Sequence, residues 1–227
     1  VSDMARTSIR NARQIIAEGA ITPLVTLLRG TPGAPDDEME SEKASKAEAA
    51  GALLALCAGQ PETQKAVAEA GAIKPLVALL SSAPEASAQK FTTGALWHLV
   101  SSVDNKMQMV SAGAIPLLVA VLVSRSSDAR EHAAAVVSAL ARTQGGNKKA
   151  IYQAGGIPPL IELLSDPNTL TQKHAACALW GLADGKEGIY DKEMAEAGAV
   201  QPLISMLLLN HPDTRGFAAA CLLCLCN

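Results

Sequence analysis

GAIKPLVALL, residues 71–80, is the stretch that decides the fold, because the chain contains five copies of it. The other copies are GAITPLVTLL (19–28), GAIPLLVAVL (113–122), GGIPPLIELL (155–164) and GAVQPLISML (198–207). Their first glycines are separated by 52, 42, 42 and 43 residues. A period of about 40–47 residues is typical of helical solenoids with two or three helices in each repeat.

The apolar positions of each copy predict a helix. Counted from the glycine, the second, fifth, sixth and ninth following residues are apolar in every copy, which is the stripe of a helix that buries one face. A proline lies three or four residues after each glycine, where the first helical turn tolerates it. These prolines are Pro23, Pro75, Pro116, Pro159 and Pro202. The glycine itself is expected to provide a sharp turn ahead of the helix.

Two further helices complete each repeat. A short helix is predicted just before the glycine, where Asn11, Asn105 and Asn147 stand as residues suited to a helix start. A third, Ala-rich helix follows, as in DAREHAAAVVSALAR (128–142), and its small residues allow close helix packing. We therefore predict an all-α chain of five three-helix repeats. Their approximate bounds are 1–59, 60–102, 103–143, 144–186 and 187–227.

The combined pattern resembles the armadillo repeat of β-catenin, importin-α and many plant and protist proteins. It consists of AGAIPxLVxLL followed by an A-A-x-ALxxL helix, and it covers nearly the whole chain. The resemblance implies a right-handed α-solenoid whose third helices line a concave groove for extended peptides or partner domains. We expect a single armadillo-repeat domain over residues 1–227 that is part of a longer protein.

The groove residues depart from those of importin-α. There the third helix carries a Trp and, four residues later, an Asn that holds the backbone of a bound peptide. The matching Trp positions are Gly51, Gly94, Ala135, Cys177 and Ala220, and the matching Asn positions are Ala55, His98, Ala139, Gly181 and Cys224. Binding of nuclear-localisation signals in the importin manner is therefore not expected.

Aromatic and imidazole side chains are the alternative candidates for partner contact. Trp97 and Trp180 stand at equivalent positions, one residue before the absent Asn, and His98 occupies one of the Asn positions. A second set lies three residues before the absent Trp. It comprises Glu48, Phe91, His132, His174 and Phe217. The competing interpretation is that the tryptophans fill gaps between repeats and the phenylalanines pack at the edge of the core.

Metal and cofactor sites are not expected. His98, His132 and His174 lack the local spacing and the acidic companions of a zinc site, and we expect solvated histidines that titrate near neutral pH. The C-x2-C-x-C motif consists of Cys221, Cys224 and Cys226. It lies in a helix that is Ala- and Leu-rich in the other copies, so its cysteines are expected to behave as small apolar residues. Five cysteines form no disulfide framework, so a reducing location is expected, cytoplasmic or alternatively nuclear.

Charge and hydropathy exclude two classes of partner. The formal net charge of −3 and the pI near 5.8 provide no basic surface for nucleic acid. The uncharged run 107–124 has about the length of a membrane span, but it includes Gly113 and Pro116 and aligns with less apolar segments. No membrane insertion is expected.

An acidic insertion explains the longer first interval. Residues 30–44 contain two prolines and five acidic residues, which predicts a solvated loop between the second and third helices. Attraction of a basic partner is the functional alternative to a tolerated insertion.

A non-enzymatic protein-interaction scaffold is the leading functional hypothesis. The sequence has no nucleophile motif, no phosphate-binding glycine loop and no catalytic carboxylate pair. The alternative is self-assembly into homo-oligomers through apolar terminal repeats, because the last segment, CLLCLCN, lacks polar capping residues.

Overall fold

The structure is a computed structural model that describes residues 11–30, 39–58, 61–82, 85–143, 146–184 and 189–226. Residues 11–17 are helical and are called α1. The helices that follow are α2 (Ile21–Arg29), α3 (Met39–Cys57), α4 (Pro61–Glu69), α5 (Ile73–Ser82), α6 (Ala86–Leu99), α7 (Val103–Ser111), α8 (Ala114–Val121), α9 (Ser127–Ala141), α10 (Asn147–Gln153), α11 (Ile157–Leu163), α12 (Thr169–Ala183), α13 (Ile189–Glu196), α14 (Val200–Met206) and α15 (Pro212–Leu225).

The predicted three-helix repeat is confirmed in the described residues. Each repeat has a short first helix, a second helix that carries the quoted stretch, and a third, longer Ala-rich helix. Every predicted turn glycine lies between the first and second helices with φ between 73° and 86°. These glycines are Gly19, Gly71, Gly113, Gly155 and Gly198.

Paired backbone hydrogen bonds show why glycine is needed in this turn. The N–H of Gly155 donates to the Tyr152 carbonyl at 2.8 Å, and the N–H of Gly156 donates to the Ile151 carbonyl at 3.0 Å. This is a Schellman ending, whose left-handed residue is usually glycine because a Cβ is unfavourable there. The same pair of bonds recurs at Gly19, Gly71 and Gly198.

Backbone contacts divide the chain into two compact units, Val1–Ala112 and Gly113–Asn227. In the first unit the third helices α3 and α6 pack on each other, while α2 lies against α3 and α5. Helix α5 also packs on α6. Fully buried side chains such as Leu53, Leu76 and Leu96 form the core between these helices.

The second unit repeats this arrangement around a row of third helices. Helix α12 packs between α9 on one side and α15 on the other. The second helices α8, α11 and α14 lie against α9, α12 and α15, respectively. Leu118, Leu140 and Leu160 are fully buried in this core.

Two of the asparagines predicted as helix starts, Asn105 and Asn147, bond to the preceding third helix, and Asn147 is also the first residue of α10 as predicted. Asn105 is the third residue of α7, and its side-chain amide donates to the Leu99 carbonyl at the end of α6, at 2.8 Å. Asn147 likewise donates to the Leu140 carbonyl of α9 at 3.3 Å. These amides therefore bond to carbonyls in the last turn of the preceding third helix, where intrahelical donors become scarce. The Leu140 carbonyl also accepts from the backbone N–H of Thr143 at 3.1 Å.

The structure also bears on the predicted loop at the acidic insertion and on the uncharged run 107–124. Helix α3 begins at Met39, so the last residues of the acidic insertion are helical and only 31–38 lie outside the described residues. The uncharged run 107–124 is divided between α7 and α8. Among the described residues, no helix combines the length and the apolar character needed to cross a membrane.

Candidate functional site

In the first unit the predicted contact residues lie on α3 and α6. Glu48 is exposed, whereas Phe91, Trp97 and His98 are half-buried. A Cβ built at Gly51 of α3 would lie 3.3 Å from the ring of Phe91, so the Phe91 ring covers this glycine. The rings of Trp97 and His98 lie 4.9 Å apart and are tilted by 34°. Part of each of these three side chains remains accessible to a partner.

In the second unit the structure brings Trp180 and Phe217 together. Their ring centroids are 5.8 Å apart with an interplanar angle of 36°, and they come from the adjacent third helices α12 and α15. Both side chains are half-buried. Tilted aromatic pairs at this separation are attractive beyond the area they bury. The two residues therefore form a fixed aromatic platform.

Arg142 joins this platform, although it was not among the contact residues predicted from the sequence. It follows the end of α9, and its guanidinium carbon lies 5.6 Å from the centroid of the Trp180 ring. This geometry is a cation–π contact, which orients the guanidinium group. Trp180, Phe217 and Arg142 are called the Trp180 cluster below.

Gly181 explains how Arg142 reaches Trp180. A Cβ at Gly181 would lie only 3.0 Å from Cγ of Arg142 and 3.2 Å from Cβ of Ala141. Gly181 stands at one of the positions where importin-like repeats carry Asn, so the absent side chain leaves the space for the arginine stem. The sequence feature that could have predicted this contact is the pairing of Gly181 with an arginine that directly follows the preceding third helix.

A cleft of about 360 Å³ lies beside the Trp180 cluster. Its lining residues are Arg142, Thr143, Lys148, Trp180, Gly181 and Asp184. The Lys148 ammonium donates to the backbone carbonyl of Asp184. Within the described part of the chain, the hydrogen bond recorded for the Arg142 guanidinium is a long one of 3.9 Å to Sγ of Cys177. A guanidinium group carries five N–H donors in a planar arrangement that matches carbonyl and carboxylate groups.

His174 differs from the expectation of titration near neutral pH. His132 and His174 are half-buried at equivalent positions of α9 and α12. Burial lowers the pKa of His174 to about 4, and the charges of Lys173 and His132 lower it further. His174 is therefore neutral at physiological pH.

Burial raises the thiol pKa of the two cysteines in α15, Cys221 and Cys224. Burial raises the pKa of Cys221 to about 12, while Cys224 is half-buried and Cys226 is exposed. Within the described ranges, no three His, Cys, Asp or Glu side chains are grouped so that they could hold a metal ion.

Comparisons with known proteins agree with the three-helix repeat fold. Residues 39–226 match the family described as plant U-box protein ARM repeat region. No curated protein matches the chain. The designed armadillo repeat protein YIII(Dq)4CqI is 27% identical with a TM-score of 0.76, over 95% of this chain and 86% of the designed one.

Two further solved structures share the fold. The designed armadillo repeat protein YIII(Dq.V1)4CPAF, solved in complex with the peptide (KR)4, is 26% identical with a TM-score of 0.72, over 95% of this chain and 86% of the designed one. The armadillo repeats only protein of Plasmodium falciparum is 21% identical with a TM-score of 0.74, over 96% of this chain and 97% of that protein. At this lower identity the likeness concerns the fold alone. The predicted fold class of three-helix armadillo repeats is confirmed.

Proposed function

Since the chain belongs to the family of plant U-box protein ARM repeat regions, we propose that it is a binding scaffold whose third helices hold a segment of another protein. The armadillo fold is typically a non-enzymatic scaffold. One designed relative was solved with a peptide bound, which supports a protein segment as the class of ligand.

The Trp180 cluster is the observation that carries this proposal. Trp and Arg are enriched among the residues that dominate binding energy at protein interfaces. In the cluster they are held by packed helices beside an open cleft. A surface that is already ordered loses little conformational entropy on binding, so a larger part of the contact energy becomes affinity.

The other predicted site residues have supporting roles in this proposal. In the first unit, the half-buried Trp97 and His98 rings offer a second aromatic anchor, with Phe91 beside Gly51 and Glu48 as a charged contact. In the second unit, His132 and His174 offer imidazoles for hydrogen bonding. The cleft beside the Trp180 cluster favours an extended segment as ligand, because it admits a side chain next to the aromatic platform.

Comparative partner capture tests this proposal. Wild-type protein and the double variant Trp97→Ala/Trp180→Ala are immobilised and exposed to a lysate of the source organism. We expect the specifically captured proteins to decrease at least about tenfold on the variant, since truncation of a dominant interface aromatic costs about 2 kcal/mol or more. Arg142→Ala provides a milder test, because Arg142 is exposed and its removal leaves the core intact.

Val103→Ala/Val123→Ala is the matched control. These valines are 62% and 65% exposed, one in each unit, and neither lies on a third helix. Circular dichroism and thermal melting establish that every variant is folded. Equal capture by the tryptophan variant, the Arg142 variant and the control would refute binding at the third helices.

Self-association is a second candidate function, favoured by an exposed apolar stripe on α14 and the residue that follows it. Val200, Ile204 and Leu207 are 38%, 44% and 37% exposed, whereas the corresponding residues of the four preceding repeats are buried. In the fourth repeat this stripe lies on α11, which contacts α13 of the next repeat. The stripe on α14 thus presents the same kind of surface, and a second copy of this chain is the proposed occupant.

Sedimentation over a range of protein concentrations tests self-association. The proposal predicts a mass that rises with concentration for the wild type and for the control Val123→Glu, but a monomer for Ile204→Glu. A charge at position 204 would have to be buried without a partner in the contact. A wild type that stays monomeric at every concentration rejects this second function and leaves the third-helix proposal unaffected.

A further inference from the structure

A cleft in the first unit lies on a different row of helices from the candidate site. It has a volume of about 740 Å³ and is lined mainly by the second helices α2 and α5. Leu28, Pro75 and Leu79 provide its apolar floor. The volume is in the range of natural ligand sites, which combine an apolar floor with a few polar groups.

Positive charge surrounds this floor. Arg29, Lys46 and Lys74 line the cleft, and none of its described lining residues is acidic. The protein as a whole carries a formal net charge of −3, so the cleft has the opposite sign to the average surface. A recess lined by charges of one sign concentrates the electrostatic field and attracts ligands of the opposite sign.

The three cations differ in how they are already paired. Lys46 forms an ion pair with Glu42 at 3.1 Å. The Arg29 guanidinium donates to the Ala70 carbonyl at 3.4 Å, which leaves its charge without an acidic partner in the described residues. Lys74 is exposed, and the described residues place no ion pair on it. Arg29 and Lys74 are therefore the cations that a ligand can neutralise.

Their positions favour a chain-like ligand over a single small anion. Arg29 ends α2 and Lys74 lies in the first turn of α5, so the two charges come from different helices. The apolar floor lies in the same cleft. The exposed Ala78, also in its lining, is small enough to leave the cleft open. We propose that this cleft binds an acidic peptide segment of a partner protein. One apolar side chain of the segment packs on Leu28 and Leu79, and its flanking Asp or Glu carboxylates face Arg29 and Lys74.

Peptide selection on the intact chain tests the proposal. A phage-displayed random dodecapeptide library is panned on wild-type protein and, in parallel, on Lys74→Glu and on Ala78→Glu. Lys74→Glu reverses one charge in a helix first turn, where Glu is well tolerated. Ala78→Glu fills the open cleft from an exposed position. Lys149→Glu, an exposed lysine of the second unit, is the matched control for the change in net charge.

The proposal predicts one class of selected peptides in which Asp or Glu residues flank a large apolar residue. Their synthetic forms should bind at least about tenfold more weakly to Lys74→Glu and Ala78→Glu, but equally to Lys149→Glu, and should weaken with added salt. Replacement of the peptide's acidic residues by Asn and Gln, or of its apolar residue by Ser, should each abolish binding.

Several results would overturn the proposal. They are a selection without acidic peptides, binding that is unchanged on Lys74→Glu and Ala78→Glu, and an equal loss on Lys149→Glu. Displacement of the peptide by inorganic phosphate alone would indicate a small-anion site instead. Peptides that depend on Trp180 but not on Lys74 belong to the third-helix face, so failure here and failure of the proposed function are distinguishable. Melting curves establish that each variant is folded.

Discussion

At the scale of single residues, the turn glycines have the strictest conformational requirement, because each has a positive φ. Gly155 has a φ of 73°, and a Cβ built on it would meet nothing within 4 Å. Gly155→Ala should therefore lower the free energy of unfolding by about 1–2 kcal/mol through backbone strain alone. Chemical denaturation monitored by circular dichroism measures this loss.

Gly216→Ala is the matched substitution with the opposite expected sign. Gly216 lies inside α15, is exposed, and also leaves space for a Cβ. Alanine should raise the free energy of unfolding by about 0.5–1 kcal/mol, because glycine loses more backbone entropy in a helix. Two substitutions with the same effect would mean that the left-handed turn does not govern these positions.

His174 provides a prediction about pH. Its pKa is about 4 in the folded protein, first because of burial and then because of Lys173 and His132, against 6.5 in an unperturbed histidine. Between these values the unfolded chain binds more protons than the folded one. The free energy of unfolding should therefore fall as the pH is lowered from about 6.5 to 4, by on the order of 2 kcal/mol.

His174→Phe tests this prediction, because phenylalanine already stands at the equivalent position of two other repeats. Phe91 and Phe217 occupy the equivalent positions of α6 and α15. The variant should lose part of the acid-induced decrease in stability when denaturation is measured across this pH window. The exposed His211→Gln serves as control, and identical pH profiles of wild type and His174→Phe would contradict the assignment.

At the scale of helices, ion pairs connect neighbouring repeats, and we expect their contribution to stability to depend on how deeply they are buried. Asp166, which precedes α12, is 7% exposed and pairs with Arg130 of α9 through N–O distances of 2.8 and 2.9 Å. Its other oxygen accepts from the backbone N–H of Asn168 at 2.8 Å. Asn168 in turn caps α12. One carboxylate therefore stabilises both the contact between helices and the start of the helix.

Asp166→Ala should lower the free energy of unfolding by about 3 kcal/mol, because it leaves a largely buried guanidinium without its partner. Asp213, the second residue of α15, pairs with Lys173 of α12 at 2.7 Å, but its side chain is 66% exposed. Asp213→Ala should cause a much smaller loss, since solvent screens this pair. Equal losses in urea denaturation would show that burial does not set the strength of these connections.

The same scale shows what could be predicted from the sequence and what could not. Helix number, the second-helix stripe and the turn glycines follow from local periodicity, which the repeat displays five times. The role of Asn105 was wrongly predicted because a helix-start preference is local, whereas its bond to the Leu99 carbonyl joins two helices. The contact of Arg142 with Trp180 was missed for a similar reason, since it depends on how two repeats pack.

For the whole molecule, the family follows from residues 39–226, whereas the partner does not. The third helices α9, α12 and α15 pack in a row and carry the Trp180 cluster. The cationic cleft of the first unit lies instead on α2 and α5. Surface side chains vary freely between repeats without altering the fold, so a repeat pattern identifies the scaffold and leaves its ligand open.

Site-specific photocrosslinking tests the central claim, binding at the third helices, most directly. The photoreactive amino acid p-benzoylphenylalanine replaces Phe217 in one preparation and the exposed Val123 in another, and each is irradiated in a lysate of the source organism. Binding at the third helices predicts a discrete covalent adduct between position 217 and a partner. Position 123 should not give this adduct, and Trp180→Ala should abolish it. Adducts from position 123 alone, or an adduct at 217 that persists in Trp180→Ala, would contradict it.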